Sequence, residues 1–282
     1  MATTSRYLLA LGDSLAAGYQ PTDGTMPPPT DPSTGYPDHG YPGGYAADLA
    51  STRHLTLIDL ACPGETTASM TGSPAEGQCT KTYRGEFDAS SQLAAAMTFL
   101  GLHRREVSLV TLDLGANNLD GCVSSSGINL NCLEAGQSAA KRQLPGIVAS
   151  LRAAITVDDP GSRLVAMNYY DPFLGIAYAP GGAKDMAAAA LSVAAVTSFN
   201  GVLATIYHRH DLAVVNVASA FKTGDPLPVR SYAGHRLPLD VDLVCRWTWM
   251  CPLPGSSAKA NIHANTAGYR VIASAFDQVL SS

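Results

Sequence analysis

Five short apolar, β-favouring runs are spaced along this chain, and a helix-patterned stretch or a loop separates each from the next. The runs are Tyr7 to Leu11, Leu55 to Leu60, Ser108 to Leu114, Arg163 to Tyr170 and Leu212 to Val217. They are continuous rather than alternating, which suits strands buried on both faces of a parallel sheet. Gly44 to Ser51, Ser90 to His103, Glu134 to Ile155 and Lys184 to His208 read as helices. The third of these is expected to kink or restart at Pro145. Thr266 to Leu280 closes the chain, with Asn265 or Thr266 as its N-cap. The Ala-rich stretch Met186 to Val196 has the apolar density of a packed helix, not of low complexity. Alternating strand and helix predicts one doubly wound α/β domain over residues 1–282, with helices on both faces of the sheet. There is no internal repeat and no linker. Two long irregular segments remain, Gln20 to Pro42 and Phe221 to Lys259, and loops of that length in a compact domain are usually functional or mobile.

A hydrophobic content of 46% in 282 residues supports a sizeable core. A net charge of −5 with no Lys/Arg cluster argues against nucleic acid as the main partner. No apolar run approaches about 18 residues, so no membrane span is expected. The stretch Met1 to Arg6 leads straight into the first strand with no signal peptide, which leaves a cytosolic protein or a secreted chain without its leader. The six cysteines favour the second. They fall into sequence-local pairs, Cys62 with Cys79, Cys122 with Cys132 and Cys245 with Cys251, each bracketing a Gly-, Ser- or Pro-rich loop. Other connectivities are open, as are six reduced core thiols. No compact Cys/His spacing suggests zinc. Disulfides imply an oxidising, extracellular destination.

In an open α/β sheet the ligand lies beyond the carboxyl ends of the strands. Gly12-Asp13-Ser14-Leu15 follows the first run, Ala61-Cys62-Pro63-Gly64-Glu65-Thr66 the second, and Gly115-Ala116-Asn117-Asn118 the third. Asn261-Ile262-His263-Ala264-Asn265 stands just before the last helix. Taken singly these are a turn after a strand, a Pro-Gly turn, a helix-capping asparagine and a surface histidine. In this order they resemble the GDSL/SGNH hydrolase family, named after the Ser, Gly, Asn and His of its four blocks. The resemblance runs from Leu8 to the closing helix and implies a three-layer sandwich with a flavodoxin-like strand order of 2-1-3-4-5.

The resemblance assigns roles that chemistry explains. Ser14 is the nucleophile, and its hydroxyl needs the adjacent base His263, which takes the proton and later returns it to the leaving alcohol. Negative charge building on the ester carbonyl oxygen is met by an oxyanion hole made of the Ser14 and Gly64 N–H groups and the Asn117 side-chain amide. The expected activity is that of a secreted, three-disulfide esterase or lipase acting on a small-molecule or lipid ester. No metal or organic cofactor is required, and the protein is expected to be a monomer. An acyltransferase, or a binding protein of low activity on the same fold, is the alternative.

The chain departs from the family pattern at the histidine's partner. Ala260 stands three residues before His263 where the family places an aspartate, Ala264 replaces a common proline, and Asn118 replaces an acid. Some secreted relatives use a main-chain carbonyl near a tryptophan instead. The carbonyl of Trp249, held by a Cys245–Cys251 link, is therefore the expected orienter, with Asn261 and Asp171 as lesser candidates. The Gln20 to Pro42 segment and the loop bearing Trp247 and Trp249 are expected to frame an apolar substrate pocket.

Overall fold

The computed structural model describes residues 6–21, 44–72, 87–119, 121–124, 127–178, 183–253 and 259–282. Five strands form the central sheet: β1 Tyr7–Gly12, β2 Thr56–Asp59, β3 Val107–Asp113, β4 Arg163–Met167 and β5 Ala213–Val215. All four pairings are parallel and the order is β2-β1-β3-β4-β5, as expected. Leu8, Leu9, Ala10 and Leu11 are fully buried, because β1 is covered on both faces and lies between two other strands. In the register Leu9 faces both Ile58 and Val110, and Val110 faces Leu164.

The helices are α1 Tyr45–Thr52, α2 Gln92–Leu102, α3 Leu130–Asp158, α4 Ala183–Arg209, α5 Leu239–Trp247 and α6 Thr266–Ser281, with a four-residue turn of helix at Val217–Ala220. On one side α1 packs on α6, with the rings of Tyr45 and Phe276 stacked 5.0 Å apart. On the other, α3 lies between α2 and α4. Asn265 caps α6, its Oδ1 accepting from the N–H groups of Ala267 and Gly268 at 3.0 and 3.1 Å.

Several boundaries differ from the sequence expectation, each for a local reason. Helix α3 runs as one element through Pro145 and starts earlier, because Asn129 Oδ1 caps it at Cys132 N–H (3.1 Å). Strand β4 stops at Met167. Beyond it the Tyr169 amide donates to Asn200 Oδ1 (3.1 Å), a side chain, instead of to a neighbouring strand. The segment expected to be irregular over Phe221 to Lys259 contains a hairpin, Arg230–Tyr232 with His235–Leu237, and all of α5. The segment Gln20 to Pro42 lies almost wholly outside the described residues.

One helix bears on the expectation that no segment spans a membrane. Among the described residues, Met186–Arg209 of α4 is a helix long and apolar enough to cross a membrane, with a mean hydropathy of 1.6. Ser192, Thr197, Ser198 and Asn200 interrupt its apolar sequence, so it holds no unbroken apolar run of membrane-spanning length. In the fold this helix packs as a core element, burying Phe199, Leu203 and Tyr207.

Candidate active site

The strand β1 ends in Gly12, whose φ of +135° is open to glycine and strained for other residues. A Cβ at this position would overlap the carboxylate and carbonyl of Asp113 at the end of β3. The close approach has a purpose that the hydrogen bonds reveal. Asp113 Oδ1 accepts the Asp13 N–H (3.1 Å) and Oδ2 the Ala16 N–H (2.8 Å), while Asp13 Oδ1 accepts the Leu15 N–H (3.0 Å). The turn around Ser14 is thus clamped through three of its amides. The Ser14 amide has no acceptor among the described residues, so its donor remains available.

Both carboxyls of this clamp are buried. Burial raises the pKa of Asp13 from 3.8 to about 6 and holds that of Asp113 well above the usual range. The Tyr169 hydroxyl donates to Asp13 Oδ2 at 2.8 Å. A second clamp acts one residue earlier. Gln92 takes the Gly12 N–H on Oε1 (2.6 Å), gives Nε2–H to the Gly12 carbonyl (3.0 Å), and donates to Glu65 Oε2 (2.9 Å). Burial raises the Glu65 pKa to about 7.

His263 reaches this turn from the other end of the chain. Its Nε2 is 2.7 Å from Ser14 Oγ. Its Nδ1 is 2.6 Å from Asn261 Oδ1, and the same oxygen accepts the His263 main-chain N–H at 3.0 Å. An amide oxygen that accepts the backbone donor must also accept from the ring, which places the ring proton on Nδ1 and leaves Nε2 free to accept from serine. Although one side faces the cavity, burial of the ring lowers the His263 pKa from 6.5 to about 4. The Tyr19 ring lies 4.5 Å away.

The Trp249 carbonyl does not meet this ring, contrary to expectation. It accepts the Asn261 N–H (3.0 Å), and the Trp249 N–H donates to the His263 carbonyl (3.0 Å). Residues 247–249 therefore splint the histidine loop as a strand would, with Thr248 and Ala264 forming an antiparallel bridge and the Cys245–Cys251 disulfide closing the turn. Asp171 is also elsewhere. It accepts from Ser192 Oγ (2.6 Å), and burial raises its pKa to about 7.

The two asparagines of the third block differ. Asn117 Nδ2 donates one hydrogen to the Glu65 carbonyl (3.0 Å), and the residue lines the cavity with Ser14 and His263. Asn118 is engaged on both atoms by Thr67, accepting its N–H at 3.0 Å and donating to its Oγ1 at 2.7 Å. Gly64 is exposed at φ +83° and does not line that cavity, and its N–H has no acceptor among the described residues.

The cavity has a volume of about 110 Å³ and its walls are mostly apolar, with Leu15, Leu119, Leu133, Phe173 and Phe199 among them. Its frame is α3, α4 and the 3-10 turns Ala116–Leu119 and Pro172–Tyr178. Trp247 and Trp249, expected to frame it, border a separate depression with Arg246 and Leu253. Among the described residues no cluster of His, Cys, Asp and Glu could hold a metal ion. The Cys122–Cys132 and Cys245–Cys251 disulfides are formed, whereas Cys79 of the third expected pair lies outside the described residues.

No curated protein sequence matches the chain significantly. Solved structures do, at the level of fold. A phospholipase A1 from Streptomyces albidoflavus NA297 superposes with a TM-score of 0.58 at 18% identity, covering 99% of each chain. An extracellular lipase from Streptomyces rimosus gives 0.54 at 18% identity over 98% of each. The model of the GDSL-like lipase/acylhydrolase family matches residues 10–271, a span that holds Ser14, Gly64, Asn117 and His263, and the chain belongs to that family.

Proposed function

We propose that the protein is a serine-dependent carboxylic ester hydrolase whose substrates carry an apolar acyl group. The observation that carries this reading is the continuous relay of Ser14 Oγ, His263 and Asn261 Oδ1, at 2.7 and 2.6 Å, opening onto an apolar cavity. Ser14 Oγ attacks the ester carbonyl carbon while its proton passes to His263 Nε2. The Ser14 and Gly64 N–H groups and the free hydrogen of Asn117 Nδ2 receive the charge that builds on the carbonyl oxygen. The C–O bond to the alcohol then breaks, and His263 gives the proton to the departing oxygen. Water repeats the sequence on the acyl-enzyme and regenerates Ser14. The two disulfides support an extracellular site of action, and Cys62–Cys79 completes the proposed set of three.

The test is hydrolysis of p-nitrophenyl esters by the wild type and Ser14→Ala, together with labelling by an alkyl fluorophosphonate. Turnover lost in Ser14→Ala, with one adduct mapped to Ser14, is expected. Product formed only when an alcohol acceptor is added would make the protein an acyltransferase. No turnover and no adduct would make it a binding protein.

A further inference from the structure

Two apolar depressions of this molecule share a wall. Beside the cavity at Ser14 lies a groove between α3 and α4 of about 510 Å³, and Leu133 and Ala195 border both. A small hairpin repeats the division, since Val123 lines the cavity and its cross-strand partner Ile128 lines the groove. The Cys122–Cys132 disulfide ties that hairpin to the first turn of α3, one residue before Leu133. Farther along, Gln137 Nε2 donates to Ser198 Oγ (3.3 Å) and joins the two helices. Within the groove Leu130 and Leu191 are 74% and 60% exposed, although both are large and apolar.

Size decides what this arrangement can do. An apolar cavity of about 150 Å³ accommodates benzene, so the 110 Å³ beside Ser14 holds only the first few carbons of an acyl chain. A longer chain needs more apolar surface continuous with that cavity. We propose that the distal methylenes of the acyl chain pass Leu133 and Ala195 and lie in the α3–α4 groove. Leu133 and Ala195 are then specificity-determining residues, and the substrate class is esters of medium to long fatty acids. The inference rests on the ester-hydrolase reading for the placement of the carbonyl carbon at Ser14.

Two sets of substitutions test it. Leu130→Glu with Leu191→Glu puts charge at exposed positions, and the first places an acid in the opening turn of α3, where the helix dipole favours it. Ala195→Leu narrows the pass. For each, kcat/KM is measured on p-nitrophenyl acetate, octanoate and dodecanoate, and dodecanoate binding is measured by displacement of a fluorescent fatty acid. Each methylene removed from water is worth up to about fourfold. The double variant is therefore expected to lose tenfold or more on dodecanoate and less than twofold on acetate. Ala195→Leu is expected to lose on octanoate as well. A dodecanoate-to-acetate ratio unchanged in both variants overturns the groove while leaving the ester-hydrolase reading intact. If the wild type hydrolyses no ester and the double variant still weakens dodecanoate binding, the hydrolase reading falls and the groove stands.

Discussion

Asn261 Oδ1 takes two hydrogen bonds from His263, one from the main chain and one from the ring, and it does so without a charge. An aspartate in that place would orient the imidazole and also stabilise its protonated form, whereas an amide only orients it. Asn261→Ala should lower kcat by about 10²–10³-fold with little change in KM, because the freed ring loses its tautomer and direction. A fall of less than tenfold would mean that the splint at residues 247–249 orients the ring alone. Burial makes a second prediction. With its pKa lowered to about 4, His263 is neutral at higher pH, so kcat/KM should stay level from pH 8 to about 5 and fall as pH drops through about 4. Asn261→Asp adds a negative charge beside Nδ1, and the acid limb should move upward. On the oxyanion side, Asn117→Ala should cost about 10²–10³ in kcat. Asn118→Ala, which releases Thr67, should instead appear mainly as a lower melting temperature.

At the scale of elements, β1 presents Ser14 and the end of β3 holds its turn. Asp113→Ala would strand the buried N–H of Ala16, at about 1–3 kcal/mol, while the Asp13 N–H keeps its bond to the Asp113 main-chain carbonyl (3.1 Å). The variant should lose several degrees of melting temperature and most of its kcat, since the released Ala16 amide closes the turn that carries Ser14. Unchanged kcat would show that the turn holds itself. None of this clamp is legible in the sequence. Asp13 and Asp113 are 100 residues apart, as Gly12 and Gln92 are 80 apart, and no local pattern announces which strand ends will touch. Ser14, Asn117 and His263 could be read because each lies at the edge of an element with a strong signal of its own. The five strands could be read because burial on both faces makes them continuously apolar. Helix α5 is hidden for the opposite reason: Leu239-Asp240-Val241-Asp242-Leu243 alternates apolar and acidic residues with the period of a strand, although Leu239 through Cys245 are all buried in a helix.

For the whole molecule, the balance of buried acids sets how stability follows pH. Asp13 at about 6, Glu65 at about 7 and Asp171 at about 7 all lie above their unfolded values, so each stabilises the fold at low pH and loses that contribution as pH rises through its folded value. His263 works the other way, its pKa being lowered, so its contribution is present above 6.5 and lost as pH falls toward about 4. Three carboxyls outweigh one imidazole between pH 5 and 8. The melting temperature should therefore decline over that range, and Glu65→Gln should flatten the decline. A melting temperature that rises steadily from pH 5 to 8 would contradict these assignments.

Ser14 and His263 are separated by 249 positions in sequence, and the helix that follows His263 docks on α1. Order of synthesis then acts as a safeguard. A nascent chain extended as far as α4 carries Ser14 and most of the sheet but lacks His263. On the proposed mechanism the Ser14 hydroxyl can be activated only after His263 has been made and the helix behind it has docked on α1. A molecule that hydrolyses an ester by the proposed mechanism has, by that act, reported that two segments 249 positions apart have met.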